Sequence, residues 1–112
     1  MVGWVIAVGV VASLALKYFW EDIAQWLNNT AANVVERKFG IDARKTMQRA
    51  VCTVTKIMNK IDNVARVYFR MDKYYLKQVD LHATQPEYET DEEVLQEIDM
   101  KKELINEFTY NG

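Results

Sequence analysis

A chain of 112 residues holds one domain at most plus a short appendage, and a core of that size gains from association. The single cysteine, Cys52, excludes an internal disulfide, and with one histidine, His82, the chain cannot build a zinc site alone. The net charge of −2 conceals blocks: residues 1–41 sum to zero, residues 42–78 set nine Lys/Arg against Asp42, Asp62 and Asp72 for +6, and residues 79–112 set ten Asp/Glu against Lys101 and Lys102 for −8.

The chain opens "MVGWVIAVGVVASLALKYFW", with no charge before Lys17. A secretory signal would need a basic start and a small-residue cleavage site; here Lys17, Tyr18, Phe19 and Trp20 succeed the apolar run. Val2–Leu16 as helix measures about 22 Å, against a bilayer core of about 30 Å. Counting through Trp20 brings it to about 28 Å. Residues 1–20 are therefore expected to form a transmembrane helix. Trp4, Lys17, Tyr18 and Trp20 would sit at the membrane interface, the aromatics as a belt and the lysine snorkelling. The competing expectation is a fully buried apolar helix in a large homo-oligomer, because Val2–Leu16 has no polar face. Gly3 with Ala7, and Gly9 with Ser13, have the small-xxx-small spacing of close helix packing. The basic residues after the span place the C-terminal part in the cytoplasm by the positive-inside tendency.

Residues 21–40 read as an amphipathic juxtamembrane helix. Phe19, Ile23, Trp26, Leu27, Ala31, Val34, Val35 and Phe39 recur at helical steps, and Gly40 supplies a stop. Asp42 is a candidate N-cap for the next helix. Residues 42–78 carry a heptad-like stripe, Met47, Val51, Val54, Met58, Ile61, Ala65 and Tyr68, opposite a basic face containing Arg66 and Arg70. This predicts a helical, coiled-coil-like segment. The strand-forming run "NVARVYFRMDKYYLKQVDLHAT" offers an alternative, a short β-hairpin near 64–84 turning at Met71–Lys73. Residues 79–89, with the only proline, Pro86, form a connector. Thr90 and Glu93 have capping-box spacing, and residues 90–110 predict an acidic C-terminal helix. The fold class expected is thus mainly α.

Chemistry is sparse. Cys52 and His82 share no motif, Ser13 is the only serine, and no glycine-rich phosphate loop is present. No catalytic, metal-ligating or cofactor-binding residue is expected, and the chain reads as a non-enzyme. The acidic third and negative net charge disfavour nucleic acid as a partner. The expected partners are further copies of the chain, another protein and membrane lipid. Met47, Val51, Val54, Met58, Ile61, Arg66 and Arg70 are the candidate interface. Such a protein would self-associate through its cytoplasmic helices and anchor or assemble a membrane complex, a pore-like oligomer being one form; the alternative is a soluble structural protein of a large homo-oligomer or filament.

Overall fold

The structure, a computed structural model, describes residues 3–6, 13–70 and 76–111. It is α+β. In chain order the elements are β1 (Gly3–Ile6), α1 (Leu14–Phe39), α2 (Ile41–Lys45), β2 (Arg49–Ile57), β3 (Lys60–Arg70), β4 (Leu76–Pro86), a 3-10 turn (Glu87–Glu89), α3 (Glu92–Lys101) and β5 (Glu103–Asn111). The strands form one antiparallel sheet in the order β1-β5-β2-β3-β4. The last strand is inserted between the first two.

α1 forms because its apolar residues fall on one stripe. Leu16, Trp20, Ile23, Leu27, Ala31 and Val35 are buried, while Lys17, Glu21, Asp22, Asn28 and Asn29 face out. Ser13 caps the start by accepting a hydrogen bond from the Leu16 amide, and Arg37 and Lys38 occupy the last turn, where the dipole favours cations. Gly40 ends it at φ +96°, a conformation that disfavours side chains.

The stripe packs on one face of the sheet. Trp20 meets Phe108 at 6.2 Å between ring centroids, and Phe39 meets Phe69 at 4.8 Å. The sheet's inward residues alternate strictly: Ala50, Cys52 and Val54 on β2; Ile61, Asn63, Ala65, Val67 and Phe69 on β3; Val79 and Leu81 on β4. α3 closes the same face with Val94 and Ile98. On β1, Trp4 is buried against Tyr110, and its backbone amide donates to Asn28 of α1.

This architecture corrects the mainly-α expectation. Gly3–Ile6 is a strand paired with β5, not the beginning of a helix, and α1 starts only at Leu14. Valine-rich sequence satisfies a strand as readily as a lipid-facing helix. α1 is about 39 Å long but carries a polar face, and among the described residues no helix is long and apolar enough to cross a membrane. Ala7 and Gly9, half of the proposed small-residue faces, lie outside the described residues.

The coiled-coil-like segment at 42–78 is replaced by α2, β2, β3 and the start of β4. β2 and β3 join through the two-residue turn Met58-Asn59, with Ile57 opposite Lys60. β3 and β4 pair from Lys60↔Pro86 to Arg70↔Leu76, so the described residues of the alternative hairpin near 64–84 are paired, Val64 opposite His82, while its turn at Met71–Lys73 lies outside the described residues. The connector at 79–89 is mostly strand. The helix expected over 90–110 stops at Lys101, and Leu104 and Phe108 belong to β5. Its cap is Asp91, which accepts from the Glu93 amide, not Thr90. Gly40, not Asp42, precedes α2.

Candidate functional site

A cleft of about 440 Å³ opens where α1 meets the β3–β4 side of the sheet. That size falls in the range of small-molecule sites, about 300–1,000 Å³. Three elements build it. The floor is Ile61 and Asn63 of β3 with their neighbours Ala83 and Gln85 of β4. One wall is the N-terminal half of α1: Ala15, Tyr18, Phe19, Asp22, Ile23 and Trp26. The other is Glu89, Thr90, Asp91 and Val94, from the 3-10 turn into α3. Ala15 and Ala83 are small, which leaves space between larger neighbours.

The second wall is tied down at several points. Lys56, near the end of β2, reaches Glu87 at 2.9 Å and Asp99 at 3.6 Å. Its hydrogen bond to Glu87 raises the Lys56 pKa above the ordinary value, with the Asp99 charge adding to it. The Glu87 amide donates to the Asn59 carbonyl at 2.9 Å. Gln85 Nε2 donates to Thr90 Oγ1 at 2.6 Å, and Thr90 Oγ1 donates to the Pro86 carbonyl at 3.4 Å. These contacts fix the polar rim without filling the cleft.

Asn63 is the chemically distinctive member. It is 7% exposed and occupies an inward position of β3, in a run otherwise apolar: Ile61, Ala65, Val67 and Phe69. Its Oδ1 is buried with no hydrogen-bond partner among the described residues. An unpaired buried carbonyl costs about 1–3 kcal/mol.

The residues singled out from sequence are scattered over the molecule. Of the four assigned to a membrane interface, Trp4 and Trp20 are core residues, Lys17 pairs with Glu21 across one helical turn, and Tyr18 stands at the cleft mouth. Of the seven assigned to an interface between copies, Met47, Val54 and Ile61 are buried in this chain's own core, Ile61 also flooring the cleft. Val51 and Arg66 lie on the outer sheet face, where Arg66 is 3.8 Å from Asp80. Met58 forms the turn, and the Arg70 backbone bonds to Thr46. Cys52 and His82 are on opposite faces: Cys52 is buried, its thiol pKa pushed up to about 12 by desolvation, and His82 is exposed 3.8 Å from Asp62. Among the described residues no three His, Cys, Asp or Glu side chains converge as a metal-ligand set.

Asn63 and the cleft escape sequence reading because they depend on strand alternation. A lone polar residue at an inward strand position stands out only once the period of two is known. Searches against family models, curated proteins and solved structures find no match to this chain.

Proposed function

We propose that this protein is a binding module for a small organic molecule. The observation that carries this reading is the Asn63 amide, buried and with Oδ1 unpartnered among the described residues, at the floor of the 440 Å³ cleft. Ligand pockets are typically apolar with a few placed polar groups. Here Ile23, Ile61, Val94 and the aromatic side chains of α1 supply the apolar body, and Asn63, Gln85 and Thr90 the polar points. Among the described residues no nucleophile–base pair lines it; Cys52 and His82 are elsewhere.

The test is a titration of isotope-labelled full-length protein with tryptophol, a neutral indole alcohol, monitored by amide chemical shifts. The expected shifts fall on Ile23, Asn63, Thr90 and Val94. Asn63→Leu should weaken binding about threefold to tenfold, the range of one lost hydrogen bond. Shifts confined to the outer sheet face would refute the reading.

A further inference from the structure

We infer that the cleft selects a compact organic cation, an aromatic ring bearing a protonated amine. The inference rests on the reading of this cleft as a ligand site.

The charge of the lining is one-sided. Asp22, Glu89 and Asp91 contribute carboxylates, and no Lys, Arg or His lines the cleft among the described residues. Lys17, one residue before Tyr18, pairs with Glu21 at 3.9 Å. The N-terminus of α3 would attract an anion, but its positive end is already met by the Asp91 cap and by Glu92 and Glu93 in the first turn. An anionic ligand would therefore enter against three carboxylates.

Among the described residues these carboxylates do not form a metal-ligand set. They come from separate elements, Asp22 from α1 and Glu89 and Asp91 from the opposite wall. So placed, they favour a positive group held at the exposed end of the cleft without direct ligation of a metal ion. The walls agree with this: Tyr18, Phe19 and Trp26 present aromatic surface, and ring faces attract organic cations as well as stacking on flat ligands. At the floor, rotation of the Asn63 amide about its Cβ–Cγ bond would bring the unpartnered Oδ1 round to accept from a ring N–H. A donor at the buried end of the ligand and a positive charge at its exposed end satisfy both halves of the site.

Three probes with a shared indole frame separate the possibilities: tryptamine (cation), tryptophol (neutral) and indole-3-acetate (anion). Each is titrated at low salt into the labelled full chain, near neutral pH, with amide shifts reporting site and affinity. Tryptamine should bind in the cleft at least tenfold more tightly than tryptophol, and indole-3-acetate more weakly than either. The double variant Asp22→Asn with Glu89→Gln replaces two exposed carboxylates and spares the Asp91 cap. It should reduce the preference for tryptamine over tryptophol at least threefold. Equal cleft affinities for tryptamine and tryptophol would overturn the cation inference and leave the cleft reading standing. No cleft shifts from any of the three probes would overturn both.

Discussion

Asn63→Leu should make the protein more stable. Leucine branches at the same carbon as asparagine and replaces two polar atoms with two methyl groups. The native carbonyl is buried without a partner among the described residues, at a position 7% exposed, so its removal recovers about 1–3 kcal/mol of desolvation cost. The adjoining cleft can take up the small change in shape, which limits the overpacking that such substitutions cause in a closed core. For a chain of this length, 1 kcal/mol moves the melting temperature by roughly 4 °C, so the expected rise is about 4–12 °C. Urea unfolding monitored by far-ultraviolet circular dichroism measures the same quantity, and the midpoint should rise with an unchanged m-value. A variant equal to or less stable than the parent would show that Oδ1 is already satisfied in solution, and would remove the basis for reading the cleft as a site. Stability gained where binding is lost would instead be the trade-off of a functional site.

Met58→Gly should raise the urea midpoint by about 0.5–1 kcal/mol equivalent, because Met58 holds φ +57° in the turn while 89% exposed, and glycine removes the strain without losing packing. Leu27→Ala, at a fully buried position of α1, should cost about 2–5 kcal/mol in the same assay. The Cys52 thiol should react with Ellman's reagent at pH 8 only as fast as the protein opens, since it is fully buried. Its ionisation also sets a pH dependence. The unfolded thiol loses its proton near the ordinary value of 9.0, whereas the folded one keeps it to about 12. Between those values the unfolded state binds fewer protons, so this contribution to stability is complete below pH 9 and falls as pH rises, by up to about 1.4 kcal/mol per pH unit. Unfolding curves of Cys52→Ala should lack that slope.

The part of α1 from Phe19 to Phe39 is legible in the sequence because Ile23, Leu27, Ala31 and Val35 recur at helical steps and Gly40 ends it. Its start at Leu14 is not, since residues 1–20 read as one continuous apolar helix and Trp20 as a membrane-interface residue. The sheet is not legible either, and the reason is geometric. Residues four apart share a face in a helix and in a strand alike. Ala50 and Val54, Ile61 and Ala65, and Leu104 and Phe108 are such pairs, so they satisfy either structure. The decision falls to odd-numbered steps and to branching. In the stripe read as heptads, the step from Val51 to Val54 changes face, and Tyr68 points away from Ala65. The β-branched run Val51, Thr53, Val54, Thr55 and Ile57 is the better guide. The turn at Met58-Asn59 hides the hairpin, because it lacks the glycine that usually marks one. Of the cleft lining, sequence reasoning singles out Tyr18 and Ile61 as site residues, both for other roles. The cleft needs Asn63, Asp22 and Thr90 brought together from three parts of the chain, which no local pattern records.

The insertion of β5 between β1 and β2 sets an order of assembly. β2, β3 and β4 are neighbours in sequence and can pair as they emerge during synthesis. β1 cannot, because its partner is made last; Gly3 meets Asn111 across nearly the whole chain. Until β5 arrives, β2 presents an open edge bearing Val51 and Thr53, the kind of template on which nascent chains pair with one another. Closure of so long a loop is slow relative to the meander, so the same strand that completes the sheet governs how long the newborn protein remains vulnerable to aggregation.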